Sequence, residues 1–166
     1  MQLGELDVRR LSHPVDVIET VASRHDWSFE RPCDDEIAVS VQGAWTDYSV
    51  SFSWMEASEA LHLGCAFTLK VPARRQVEVL RLLSRINEGM LVGHFDLWAA
   101  EGAVMFRHAI LLSGGVQPTS QQAERLLSAA LEACERYYQA FQFVVWAEKS
   151  ADEALACVVF DTVGNA

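Results

Sequence analysis

Between Ile37 and Leu69 the chain alternates. Ile37, Val39 and Val41, then Tyr48, Val50, Phe52 and Trp54, then Leu61, Leu63, Cys65, Phe67 and Leu69 are each separated by a polar or small residue. Successive side chains of a strand point to opposite faces, so alternation of this length requires antiparallel strands with one face buried. The register follows from counting. Gly43-Ala44 as a two-residue type II′ turn sets Val41 opposite Thr46, Val39 opposite Tyr48 and Ile37 opposite Val50. A turn centred on Ala57-Ser58 sets Trp54 beside Leu61, Phe52 beside Leu63 and Tyr48 beside Phe67. Both pairings gather the apolar sets on one face, and a one-residue slip would turn them all to solvent. The expected unit is a meander of three strands, with Trp27–Arg31 as a short fourth that Pro32 and the acidic turn Asp34-Asp35 break.

Around this sheet the period becomes helical. A first helix opens at Ser12 or His13, tolerates Pro14 in its first turn, and carries Val17, Ile18, Val21 and Ala22 on one stripe. From Ala73 to about Leu91 a second helix sets Val79, Leu83, Ile86 and Met90, widened by Leu80 and Leu82, against a charged side, and Gly89 and Gly93 stop it. A second hairpin, His94–Trp98 and Val104–Leu112 around Glu101-Gly102, pairs Phe95 with Phe106 and Leu97 with Val104. Thr119-Ser120-Gln121-Gln122 is a capping box that starts a long helix, with Ala123, Leu127, Ala130, Cys134, Tyr138 and Phe141 inward and a bend expected near Gln139. Ser150 to Glu153 is another capping box, opening a short last helix. With no repeat or linker, residues 1–166 read as a single α+β domain with its core at about 14–164: an antiparallel sheet packed with helices.

Charge excludes several classes. The 23 acidic residues outnumber 13 Lys and Arg, for a formal charge of -10, which repels nucleic acid and anionic membranes unless the cations cluster. Arg74, Arg75, Arg81 and Arg85 are the one basic stripe, and interleaved Glu78 and Glu88 make it a salt-bridged solvent face. Residues 1–12 lack the apolar segment of a secretory signal, the apolar runs are too short to span a bilayer, and the C-terminus has no prenylation cysteine, so the expected location is the cytoplasm. Cys33, Cys65, Cys134 and Cys157 lie too far apart in sequence for a zinc motif and read as packed thiols.

Motifs that carry chemistry are absent: no phosphate-cradling glycine loop, no zinc helix motif, no nucleophile elbow. Ser113-Gly114-Gly115 reads as a connector. The densest polar cluster is His94, Asp96, Arg107 and His108 on the second hairpin. His94 and Asp96 share a strand face with Arg107 as cross-strand neighbour, which suits either a metal or acid–base site or an ordinary ion pair. His108 falls on the opposite face, where a hydrogen-bonded core histidine is the plain reading. Trp45, Trp98 and Met105 fall opposite the main core face, as do Ala109 and Leu111. Such a face is covered by a helix of the same chain, a second subunit or a partner.

At Asp47-Tyr48, Phe52-Ser53-Trp54, Leu63-Gly64-Cys65-Ala66-Phe67, Ile86-Asn87-Glu88 and Gly93-His94-Phe95-Asp96 the chain resembles the bacterial YbjN-like family, in its alphaproteobacterial branch. Phe106-Arg107-His108 and Ala140-Phe141-Gln142-Phe143 extend the resemblance over about 14–164. It implies a regulator of sensory transduction with no assigned active site and no cofactor. The element order α-β-β-β-α-β-β-α is similar to that of type III secretion chaperones, small acidic dimers that hold an effector segment. The implied function is a non-enzymatic homodimer that holds a protein or peptide partner, with Trp45, Trp98 and Met105 as contact candidates. The competing reading is a small metal- or ligand-binding enzyme using His94, Asp96 and His108.

Overall fold

His13 and Pro14 start the first helix as their chemistry allows. His13 Nδ1 accepts the Val15 amide at 3.2 Å, and Pro14 occupies the first turn, where a missing amide hydrogen breaks no helical bond. The computed structural model describes residues 10–163; residues 1–9 and 164–166 lie outside the described residues. The elements run α1 (Pro14–Arg24), β1 (Ser28–Cys33), β2 (Glu36–Gln42), β3 (Asp47–Met55), β4 (Ala60–Lys70), α2 (Gln76–Glu88), β5 (His94–Trp98), β6 (Ala103–Leu111), α3 (Ser120–Val145) and α4 (Ala151–Val163). The fold is α+β. One sheet of six strands, in the order β1-β2-β3-β4-β6-β5, is antiparallel at every pairing.

Two expected registers hold. Trp54 pairs with Leu61 and Phe52 with Leu63, while Phe95 pairs with Phe106 and Leu97 with Val104. The β2–β3 register differs by two residues: Val41 pairs with Tyr48, Val39 with Val50 and Ile37 with Phe52. The connection is therefore Gly43 to Thr46, closed by the Gly43 amide on the Thr46 carbonyl at 3.0 Å, and no two-residue turn. Gly43 is needed for room. A Cβ there would sit 2.4 Å from the Tyr48 ring and 2.6 Å from the Thr46 oxygen, and Glu135 Oε1 accepts the next amide, Ala44, at 2.7 Å. A slip of two keeps every side chain on its face, so the core is unaffected. Trp45 does move: it lies in this loop, half-exposed, and on neither sheet face. Nor does Pro32 break β1, which runs to Cys33 as an edge strand with an irregularity between Glu30 and Cys33.

The four helices among the described residues lie on one side. α1 packs on β1, β2 and β3; α3 crosses β3, β4 and β6; α2 lies against β5; and α4 packs on α2 and α3. Phe52, Phe95, Phe106 and Phe141 are fully buried between sheet and helices, and the Phe67 ring lies 5.1, 5.5 and 5.9 Å from Tyr138, Phe141 and Phe95. Both capping boxes form, at Thr119–Gln122 and Ser150–Glu153. α3 is one unbroken helix through Gln139, and Leu80 is half-exposed and outside the core. The arginine stripe is partnered throughout: Arg74 with Glu148, Arg81 with Glu78, Arg85 with Asp152, and Arg75 on the Val144 and Lys149 carbonyls. Among the described residues no helix is long and apolar enough to cross a membrane.

Candidate functional site

With every helix on one side, the opposite face of the sheet carries no helix among the described residues. Its composition can be followed strand by strand. One row crosses all six strands as Glu30, Ala38, Ser51, Gly64, Arg107 and His94. A neighbouring row runs Glu36, Ser53, His62 and Ala109, and Met55, Ala60 and Leu111 form the next full pairing on this face. The floor is made of Ser, Ala and Gly, while Met55, Trp98, Met105 and Leu111 stand above it. Gly64 has a packing reason, since a Cβ there would press on Met105 Sδ at 3.3 Å. The result is a trough of about 460 Å³ over β3, β4 and β6, walled by Met55, His62, Trp98, Met105 and Arg107.

Arg107 organises its polar end. One guanidinium nitrogen lies 3.0 Å from Asp96 Oδ2, Nε donates to His62 Nε2 at 3.3 Å, and the group sits 5.9 Å from the Trp98 ring centre. As the acceptor of that bond, His62 Nε2 takes the role a neutral imidazole offers. Burial, then the Arg107 charge, then His94 push its pKa below the usual histidine value. Trp98 is 41% exposed and Met105 partly buried, so both sequence-derived candidates do stand on this face. Trp45 does not join them.

The structure separates the residues of the enzymatic reading. His94 and Asp96 share the bare face with Arg107, whereas His108 points to the helix side, where it lines a groove with Ile110 and Leu126 of α3. His108 forms no side-chain hydrogen bond among the described residues, contrary to the expected core histidine, and burial followed by His94 lowers its pKa. No three His, Cys, Asp or Glu side chains converge as a metal would require, among the described residues. Cys65 and Cys134 are buried and Cys33 is exposed; the Cys65 hydrogen bond, then burial, pushes the Cys134 thiol up.

Sequence reasoning missed two residues. His62 alternates with Leu61 and Leu63, and its outward position was readable, but its bond to Arg107 needs the β4–β6 pairing. Asn87, in the last turn of α2, bonds through its side-chain amide to both backbone groups of Phe95: Nδ2 donates to the carbonyl at 3.0 Å and Oδ1 accepts the amide at 2.8 Å. No local pattern signals a contact of that kind.

Residues 14–143 match the family model described as "Putative bacterial sensory transduction regulator". No curated protein matches the chain. Among solved structures, E. coli YbjN is similar at 12% identity and a TM-score of 0.53, over 73% of this chain and 85% of that one. The ExsC–ExsE complex is similar at 17% identity and 0.45, over 78% and 94%. The HopA1–SchA chaperone–effector complex is similar at 15% and 0.47, over 71% and 87%.

Proposed function

The chain belongs to the YbjN family, and from that premise we propose that it is a non-enzymatic regulatory module that works by holding a protein partner, as a homodimer. One observation carries the reading: a broad sheet face that the described helices leave bare, floored by small residues and topped by Trp98, Met55, Met105 and Leu111. Small floor residues let another chain approach closely, and aromatic and methionine side chains supply wide, adaptable contact area. Among the described residues, that face assembles no nucleophile, base and oxyanion donor.

Replacing Trp98 and Met105 together with Ser tests it. Both lie outside the Phe95–Phe106 core, so the variant is expected to keep its near-UV dichroism and cooperative melt while losing the proteins that the wild type captures from its native lysate. A folded variant that captures the same proteins would place the binding surface elsewhere. Light scattering at high micromolar concentration checks the homodimer, and a monomer mass there would remove it.

A further inference from the structure

We infer that the free edge of β6 is a second docking site, which takes an extended segment of another protein bearing an apolar side chain and, two residues along on the same face, a carboxylate. β6 spans Ala103–Leu111 but β5 only His94–Trp98, and their pairing ends at His94 with Arg107. The direction of the remaining backbone groups follows from alternation. Leu112 donates to the Glu59 carbonyl at 2.7 Å, on the β4 side, so the even-numbered residues of this strand aim their N–H and C=O at β4 and the odd-numbered ones away from it. Phe95 agrees, because both of its backbone groups face Asn87 and turn their backs on β6. Met105 and Arg107 meet β5, while Ala109 and Leu111 point to a side where, among the described residues, no strand pairs with them.

The chain blunts its other two edges. β1 carries Pro32 and an irregularity, and the Asn87 amide occupies the outward groups of Phe95 on β5, two devices that prevent pairing with a passing strand. At Ala109 and Leu111 there is no such device among the described residues, and the exposed side chains there are apolar: Leu111 is 75% exposed and Leu91 98%. Alongside lies a groove of about 240 Å³ walled by Val92, Ile110, Leu126 and Ala129, with His108 at its floor and Gln122 and Arg125 at its rim. An open strand edge beside an apolar groove is the geometry of strand addition, in which backbone bonds give affinity and alternate side chains fill the groove.

Charge selects the occupant. Arg125 is the formal charge lining the groove; its contact to Glu132, at 4.0 Å between two exposed side chains, is long, and no carboxylate lines the groove itself, in a chain of net charge -10. Two copies paired edge to edge about a two-fold axis would bring their arginines to one interface, so the rim disfavours self-pairing and favours an acidic segment. Same-face residues of a strand are about 7 Å apart, so a side chain in the apolar wall leaves the next one within reach of Arg125. This site shares neither Trp98 nor Met105 with the trough, so either reading can fail alone.

The test is a nitrogen-15 NMR titration of the full chain with a blocked seven-residue peptide, Thr-Thr-Val-Thr-Glu-Thr-Thr, and with its Glu-to-Lys counterpart. The Glu peptide is expected to shift the Ala109 and Leu111 amides saturably and slow their hydrogen exchange, with the Lys peptide weaker by about fivefold, the size of one exposed ion pair. Arg125→Glu, at a side chain 76% exposed, is expected to keep the fold and reverse that preference. Absence of shifts at Ala109 and Leu111 at millimolar peptide, or equal binding of the two peptides, overturns the proposal. So does concentration-dependent protection of those amides without peptide, which would show a second copy on the edge.

Discussion

Two adjacent rows of the sheet, one residue out of step, make a close comparison. Toward the helices lie Phe29, Val39, Val50, Cys65, Phe106 and Phe95; away from them lie Glu30, Ala38, Ser51, Gly64, Arg107 and His94. Extended backbone and strand order are the same for both. Five of the first six side chains are buried, whereas the second row holds one buried residue, Gly64. The difference teaches that parity alone assigns stability to one row and leaves the other free to be shaped for contact. It also sets unequal consequences for substitution.

Phe106→Ala should show the largest effect. The ring is 1% exposed and meets Phe95 at 5.5 Å, so its loss leaves a cavity between sheet and helices worth about 3–5 kcal/mol in urea unfolding. Ser51→Ala, in the outward row, should stay within about 0.5 kcal/mol. Comparable losses at both positions would mean that the outward face is core after all.

How far the comparison was legible in the sequence depends on which contacts are local. The two inner sets of β3 and β4 announce themselves by alternation, and the β5–β6 register follows from Glu101-Gly102 because Gly102 takes a positive φ of 62° where a turn needs it. Gly43 misled for a physical reason: a glycine required by the Tyr48 ring and the loop backbone looks in sequence like a glycine required by a turn. Since the error was an even number of residues, Val39 and Tyr48 stayed inward, and only Trp45 was lost from the candidate face. Trp98 and Met105 were legible by parity. That no described helix covers them was not, because amphipathic stripes such as Val15–Ala22 say that a helix packs on a sheet but not on which side.

Asn87→Ala sharpens the comparison at the sheet edge. It leaves the core row intact but strips the Phe95 amide and carbonyl of their partner in a partly buried position. An unsatisfied pair of this kind costs about 1–3 kcal/mol, between the values for Phe106 and Ser51. Hydrogen exchange at the Phe95 amide should accelerate by more than global stability accounts for. An unchanged exchange rate would show that the side chain adds nothing to the edge.

The smallest effect concerns the one histidine of the bare face that is bonded to Arg107. In the unfolded chain His62 takes up a proton near 6.5, and in the folded protein burial, then Arg107, then His94 lower that value. Between the two values the unfolded state binds more protons. The stability linked to His62 is therefore complete above pH 6.5 and is lost as the pH falls through the lowered folded value. His108 shifts in the same direction on the helix side, so the wild-type urea midpoint should decline from pH 7 to 5 through both residues. His62→Asn, which keeps a hydrogen-bonding side chain but does not titrate there, should flatten part of that decline and leave the His108 part in place. An identical slope in the variant would mean that solvent reaches His62 freely and that Arg107 is not its partner. A partner seated in the trough would desolvate His62 further, so a slope that steepens when the partner is present would tie this titration to the face on which it sits.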